Sequence, residues 1–233
     1  MIHTLNALYD STSSRTLADW AQKPGIGETR HAPRYAKDKF ALATGITPPL
    51  SPAIAALLQE LHALATGDPL ADVMPVTALH FTFLAVTDAI YATPQSPQDL
   101  THLTERFDDI TPLTVTIRDL RLVALPDQLL LAGIPDAASL AQRQRFAEAL
   151  LTSPWKSALT QRYGNTPLPP PFWHSTVVRY EASRLPPRFR EFFTRHEASR
   201  FGDVRAPLML AMVNYNWSHK WIVGSGHSEQ REE

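Results

Sequence analysis

Proline is the residue that most limits how this chain can fold. The 233 residues include 20 prolines and only 9 glycines, and prolines cluster at residues 47–52, 93–97 and 165–171. Because proline interrupts helices and the interior of sheets, these clusters mark loops and leave short periodic segments between them. No segment approaches the roughly 18 apolar residues that span a bilayer, and the first residues lack a cationic segment followed by an apolar run. We therefore expect a soluble, cytoplasmic protein.

The composition narrows the class of protein further. Hydrophobic residues make up 44% of the chain and charged residues 19%, which is typical of a globular protein with one large domain or two small lobes sharing a core. The formal net charge of -1 argues against coating long duplex nucleic acid but leaves small or terminal phosphate ligands possible. The chain has no cysteine, which excludes disulfides, cysteine-ligated zinc, iron–sulfur clusters and thiol nucleophiles.

The periodic segments predict a mixture of helices and strands. Ser51 and Asp136 are suited to cap the helices that follow them. The predicted strands are 39–46, 78–86, 113–122, 128–132, 173–180 and 207–217, of which the third and fourth form a hairpin-like pair. The predicted helices are 51–65, 97–107, 136–151, 155–163 and 186–196.

The order of these elements favours an α+β fold over a doubly wound parallel sheet. The strand–helix–strand order of residues 39–86 recurs at 173–217, which indicates two related lobes. We expect residues 1–38 to form an irregular N-terminal arm with one short helix near residues 16–22. A single bilobal domain is expected at 39–222, followed by a polar, disordered tail at 223–233.

One chemical detail is common to both lobes: an apolar-His-x-Thr-apolar pattern, LHFTF at 79–83 and WHSTV at 173–177. Alternate residues of a strand lie on the same face, about 7 Å apart, so each histidine stands beside its threonine. The two pairs are His80 with Thr82 and His174 with Thr176. The opposite face of the first strand is expected to pack under helices and consists of Leu79, Phe81, Phe83 and Ala85.

The pattern taken singly is weak evidence of function. A third match, His102-Leu103-Thr104, falls in a helical segment, where alternate residues diverge, and we interpret it as a chance match. A strand histidine bonded to a neighbouring carbonyl, next to a threonine of good β-propensity, also explains either of the other two alone. Two copies in strands, at matching places in two similar lobes, favour a functional pair.

With these motifs the chain resembles the two-histidine phosphoesterase superfamily, which includes 2′-5′ RNA ligase-like proteins and cyclic nucleotide phosphodiesterases. The resemblance covers roughly residues 39–217 and rests on HFTF at 80–83, HSTV at 174–177 and the order of elements around them. It implies two pseudo-symmetric lobes of mainly antiparallel sheet with outer helices, in which the motifs face each other across a central cleft. It also implies chemistry without a metal ion or cofactor.

The reaction needs the residues that the motifs supply. Opening a phosphodiester with water requires a base for the nucleophile and an acid for the leaving oxygen, and two histidines provide both near neutral pH. The threonine hydroxyls would hold the non-bridging oxygens. We predict a hydrolase, a metal-independent phosphoesterase for a cyclic or 2′-5′ phosphodiester in a nucleotide, oligonucleotide or RNA end, with a rate maximum between about pH 6 and 8. Which histidine is the acid stays open, as do a non-catalytic RNA-end or nucleotide-binding module and metal-dependent hydrolysis.

Further candidates have weaker support. Aromatic residues near the motifs would stack a base, although each is more often a packing residue. Arginines would neutralise a substrate phosphate, although most arginines are solvated or ion-paired. The remaining histidines show no metal-ligand spacing, so we expect no metal site. We also expect no membrane partner and a monomer. The stacking candidates are Tyr35, Phe40, Phe172, Trp173 and Tyr215, and the phosphate candidates are Arg30, Arg34 and Arg179.

Overall fold

The computed structural model describes residues 2–95, 97 and 99–224. Six α-helices and nine strands lie in this part of the chain. The helices are α1 (Ile2–Gln22), α2 (Pro52–Ala65), α3 (Thr101–Asp108), α4 (Ala137–Leu151), α5 (Lys156–Tyr163) and α6 (Pro187–His196). The strands are β1 (Ala41–Ile46), β2 (Ala71–Val73), β3 (Phe81–Ala85), β4 (Thr114–Leu125), β5 (Gln128–Pro135), β6 (His174–Tyr180), β7 (Val204–Pro207), β8 (Met209–Val213) and β9 (Lys220–Ile222).

The strands form two antiparallel sheets. The four-stranded sheet has the order β3-β1-β8-β9 and is the centre of what we call the first lobe. The five-stranded sheet has the order β2-β6-β5-β4-β7 and is the centre of the second lobe. The predicted bilobal α+β class is confirmed, because helices and antiparallel sheets are mixed along one chain. In the part of the chain described here, no helix is long and apolar enough to cross a membrane.

Local signals predicted several elements correctly. Ser51 Oγ accepts a hydrogen bond from the Ile54 N–H at 3.3 Å, and Asp136 Oδ1 accepts one from the Ser139 N–H at 2.7 Å, so both predicted caps are confirmed. The predicted hairpin is β4 with β5, which are joined by a tight turn after Leu125. His174 and Thr176 lie on a strand as expected, whereas the strand predicted at 78–86 begins only after His80, so of the first pair only Thr82 is on a strand.

The prediction of an irregular arm is wrong for residues 2–15, because the short helix predicted near residues 16–22 is the end of the longer helix α1. This helix packs on the hairpin β4–β5, and polar groups make much of the contact. The Tyr9 hydroxyl donates to the Gly133 carbonyl at 2.9 Å, and the Thr16 hydroxyl donates to the Ala124 carbonyl at 2.9 Å. A helix that docks through hydroxyl groups shows little hydrophobic periodicity, so pattern reading misses it. Residues 23–38 contain no helix or strand beyond an isolated bridge at Thr29.

The single long strand predicted at 207–217 is also wrong. The chain there forms β7 and β8, which belong to different sheets, because β7 pairs with β4 and β8 pairs with β1. The strand–helix–strand echo is therefore not a pair of consecutive repeats, since β8 completes the sheet of the first lobe. Residues 214–219 form a loop before β9. Of the tail predicted at 223–233, residues 225–233 lie outside the described residues.

Candidate active site

The two motifs meet in one cleft although they lie on different sheets. His80 immediately precedes β3, at the edge of the first lobe's sheet, and His174 begins β6 in the second lobe's sheet. A cavity of about 490 Å³ is lined by both histidines and by Thr82 and Thr176. The four residues predicted from the repeated pattern are thus neighbours in space.

A bulge in β3 changes which residues of the first motif reach the cleft. Thr44 pairs with Leu84, but the next residue of β1 pairs with Thr82, so Phe83 is an extra residue in β3. One extra residue reverses the alternation of faces beyond it. Ala85 therefore lines the cleft with Thr82, which corrects the prediction that it faces the helices.

The second motif has the same bulge at the same place. Leu129 pairs with Val178, but the next residue of β5 pairs with Thr176, which makes Val177 the extra residue of β6. Arg179 is consequently brought onto the face of His174 and Thr176, and it lines the cleft. Each motif thus presents a histidine, a threonine and the third residue after that threonine, which is alanine in one lobe and arginine in the other.

His80 is held in one tautomer. Its Nδ1 lies 2.9 Å from the Ala78 carbonyl oxygen, which can only accept, so Nδ1 carries the proton and Nε2 is the acceptor of the neutral ring. The ring stacks on Trp217, with 5.0 Å between centroids and 7° between planes. Burial lowers the pKa of His80 to about 3, and the charges of Arg179 and His174 act in the same direction. His80 is therefore neutral at pH 7 in the free protein.

Gly45 makes room for this stacking. A Cβ atom at this position would lie 2.6 Å from an atom of the Trp217 ring and 2.6 Å from the Phe81 carbonyl oxygen. Either approach is far inside van der Waals contact. The absence of a side chain on β1 thus allows Trp217 to reach His80.

His174 has different surroundings. Its Nδ1 is buried and has no hydrogen-bond partner among the described residues. The ring of Phe172 is perpendicular to it, with 6.1 Å between centroids. Burial, together with the positive charges of Arg143 and Arg179, lowers the pKa of His174 to about 4. Both histidines are thus uncharged at neutral pH until an anion enters the cleft.

The cleft is cationic although the whole chain is not. Four arginines line it, whereas a single carboxylate, Asp88, is among its described lining residues, and the chain as a whole has a formal charge of -1. A concave surface with one sign of charge concentrates ligands of the opposite sign. The arginines are Arg34, Arg143, Arg162 and Arg179.

Arg179 and two tyrosines form one wall of the cleft. The guanidinium carbon lies 5.2 Å from the centre of the Tyr35 ring and 5.8 Å from that of Tyr215, and the two rings stack at 6.2 Å and 26°. Arg179 is 5% exposed, and its Nη1 lies 4.0 Å from a carboxylate oxygen of Asp72. Its Nε and Nη1 make no hydrogen bond to any described residue. Tyr35, Tyr215 and Arg179, which the sequence predicts to contact a ligand, therefore all line the cleft.

Tyr35 belongs to residues 23–38, which the second lobe holds in place. Arg30 and Arg34 both form ion pairs with Asp127, and the Arg30 N–H donates to the Glu181 carbonyl at 2.9 Å. Arg30 is thus engaged by carboxylates outside the cleft lining, whereas Arg34 lines it.

Two predicted stacking residues are not at the cleft. Trp173 is buried in the core, where its ring lies 5.7 Å from that of Phe83, because a residue next to His174 on a strand faces the opposite side. Phe40 packs against Trp221 at 5.1 Å and is not among the lining residues. His102 lies on the exposed helix α3 beside Glu105, away from the cleft, in agreement with its interpretation as a chance match.

Several lining residues were not predicted, and one of them left a signal in the sequence. The buried face of α4 consists of Ser139, Arg143, Phe146, Ala147 and Leu150. An arginine within this helical stripe of small and apolar residues is unusual, since arginine is rarely fully buried without a partner. Trp217 and Tyr163 left no such signal. Among the described residues, no group of three or more His, Asp or Glu side chains is arranged to hold a metal ion.

Comparison with known proteins identifies no family. No family model matches the chain, and no curated protein matches it. A structure of TT0787 from Thermus thermophilus is 15% identical, with a TM-score of 0.46, and the match covers 80% of this chain and 100% of that one. ATU0111 from Agrobacterium tumefaciens, a conserved protein of unknown function, is 13% identical, with a TM-score of 0.47 and coverage of 85% and 96%. Similarity at this level assigns neither a family nor a function.

Proposed function

We propose that this protein is a two-histidine phosphoesterase that hydrolyses a cyclic or 2′-5′ phosphodiester in a nucleotide, an oligonucleotide or an RNA end, without a metal ion. One observation carries the proposal: two His-x-Thr pairs, each followed by the same bulge, line a single cationic cleft from two different sheets. A structural role for each histidine alone does not explain why both pairs converge there.

The surroundings of the histidines suit different tasks. The neutral ring of His80 offers Nε2 as a proton acceptor, because the Ala78 carbonyl engages Nδ1, and this suits the base that activates water. His174 would then protonate the leaving oxygen. It must first gain a proton, and the negative charge of a bound phosphodiester favours its protonated form. Proton uptake by the acid is in this way coupled to substrate binding.

The threonines and Arg179 suit the developing negative charge. The hydroxyls of Thr82 and Thr176 make no hydrogen bond to described residues, so both are available to a ligand in the cleft that they line. Arg179 adds a positive charge on the face of the second motif. Donors fixed in a largely buried site stabilise charge more strongly in the transition state than mobile water does.

A nucleotide-binding or RNA-end-binding module without catalysis is the second candidate. The lowered pKa values of both histidines favour it, because the free protein has no ready acid at neutral pH. The stacked tyrosines on the cleft wall suit a planar base in either case.

A panel assay separates the two candidates. Purified protein is incubated with cyclic mononucleotides, cyclic dinucleotides, 2′-5′ dinucleotides and cyclic-phosphate RNA ends in excess chelator, and the product is followed by chromatography. We expect turnover of at least one substrate to persist in chelator. Turnover that appears only with added divalent metal contradicts the proposal, and binding without turnover of any substrate supports the module instead.

A further inference from the structure

Arg143 is a buried arginine of α4 that contacts the segment leading into β6. It is 2% exposed. Its Nη1 donates to the Phe172 carbonyl at 3.1 Å, its Nη2 donates to the Pro170 carbonyl, and its guanidinium carbon lies 3.9 Å from the centre of the Trp173 ring. The guanidinium therefore borders the cleft directly beside the residues that precede His174.

The charge of Arg143 has no counter-ion in the described part of the protein. Within residues 2–95, 97 and 99–224, no carboxylate lies within 4.0 Å of its guanidinium nitrogens, and its buried Nε has no hydrogen-bond partner. Burial lowers the pKa of Arg143 to about 10, so the side chain is still charged at neutral pH. The other three arginines of the cleft each face a carboxylate, namely Arg34 with Asp127, Arg162 with Asp88 and Arg179 with Asp72.

An unpaired buried cation is costly, and it is seldom retained without a partner. Arg143 lines the cleft, so an anionic group in the cleft can supply that partner. The two carbonyls and the face of the Trp173 ring offset part of this cost, but none of them carries a formal negative charge.

Arg143 and Arg179 occupy different parts of the cleft. Arg179 contacts Tyr35 and Tyr215, whereas Arg143 contacts the chain before His174, and none of these described contacts is common to the two. Arg179 therefore borders the cleft beside the two tyrosines, and Arg143 borders it beside the residues that precede His174.

We propose that Arg143 binds a second anionic group of the substrate, a phosphoryl group separate from the one held between the histidines. This inference rests on the proposed phosphoesterase function. In a nucleoside 2′,3′-cyclic phosphate the remaining sugar hydroxyl is the 5′ one, so the second phosphoryl group is on the 5′ oxygen, either as a terminal phosphate or in the last linkage of an RNA. The cleft of about 490 Å³ has the size of sites for such ligands.

Equilibrium binding tests this subsite without requiring turnover. Calorimetry on the full chain compares a nucleoside 2′-monophosphate with its 2′,5′-bisphosphate and with a dinucleotide that ends in a 2′-phosphate. We expect at least one of the two larger ligands to bind about 10-fold more tightly, as one charged hydrogen-bonding group warrants. The ligand with this advantage identifies the source of the second phosphoryl group. Equal affinity of the wild-type protein for all three overturns the inference.

Two variants test whether Arg143 is responsible for the difference in affinity. In R143M the affinity ratio is expected to fall to about 1, while R145M, which removes an exposed arginine from the same helix, keeps the wild-type ratio. A ratio that survives in folded R143M overturns the assignment. If R143M does not fold, R143Q is used, because the glutamine amide has two N–H donors for the carbonyls but no charge for an anion, and an unchanged ratio in folded R143Q likewise overturns it.

Turnover of cyclic phosphates is measured separately. Turnover without a preference for the second phosphoryl group refutes the subsite and leaves the proposed function intact. A panel without any turnover refutes the proposed function whatever the binding ratio.

Discussion

The two lobes have the same backbone arrangement around their motifs, but the electrostatic surroundings of the two histidines differ. Each supplies a histidine, a threonine and the second residue after a one-residue bulge, but that last residue is Ala85 in the first lobe and Arg179 in the second. His80 is tied to a carbonyl and stacked on Trp217, whereas the Nδ1 of His174 is unpaired among the described residues and two guanidinium groups influence its pKa. A repeated backbone geometry can therefore place two histidines in surroundings that suit different chemical tasks.

Replacing either histidine is expected to have the largest effect on kcat. H80A and H174A are each expected to lower kcat on the best substrate of the panel by at least about 100-fold, which is typical of a lost general acid or base. Initial rates with saturating substrate check this. H102A is the matched control, since His102 lies on the exposed helix α3. An equal loss in H102A would mean that the wrong histidines were chosen.

The next largest expected effect is the pH dependence of kcat/KM, which tests how the proton is shared between His80 and His174. With pKa values of about 3 for His80 and about 4 for His174, the fraction of free protein with one proton falls about 10-fold per pH unit above pH 5. The rate maximum that ordinary histidines would give between about pH 6 and 8 therefore moves to lower pH. We expect kcat/KM to rise about 100-fold from pH 7 to pH 5, with no effect of chelator.

Folding must be monitored during this titration. In the unfolded chain the histidines regain a pKa near 6.5, so below that pH the unfolded state binds more protons and the folded state loses stability. Circular dichroism at each pH identifies the range in which the protein is folded. Within that range, a kcat/KM that climbs steadily toward pH 10 would instead indicate hydroxide as the nucleophile.

Replacing Arg179, which has no counterpart in the first lobe, is expected to have a smaller effect on kcat/KM. R179M is expected to lower kcat/KM about 10-fold, because a buried positive charge beside the transferred phosphoryl group is lost. The same change should raise the pKa of both histidines and shift the pH profile toward neutrality, since the charge of Arg179 lowers both values. R205M, on the exposed part of β7, is the matched control. A loss of rate without a shift of the profile would show that Arg179 acts on the substrate alone.

The sequence was sufficient for features that depend on local chemistry. Ser51 and Asp136 act as caps wherever their helices lie, and the alternation of apolar residues located both histidines on or beside strands. The bulges were not predictable, because a bulge is a property of two paired strands and neither Phe83 nor Val177 is unusual for a strand. Arg143 shows the same limit, since its position in a buried helical stripe is readable but its partners come from residues 170–172.

The order in which the chain is synthesised gives the Tyr9 contacts a further meaning. The hydroxyl of Tyr9 donates to the carbonyl of Gly133 and accepts from the N–H of Trp173, partners that lie 124 and 164 residues later in the chain. The helix α1 is made before the hairpin β4–β5 on which it docks, and such distant contacts form slowly. Trp173 is the neighbour of His174, so the contacts of Tyr9 are complete only after residue 173 has been made, and they hold the entry to the strand of the second histidine. Folding of this end of the cleft is thereby coupled to synthesis of the chain as far as residue 173.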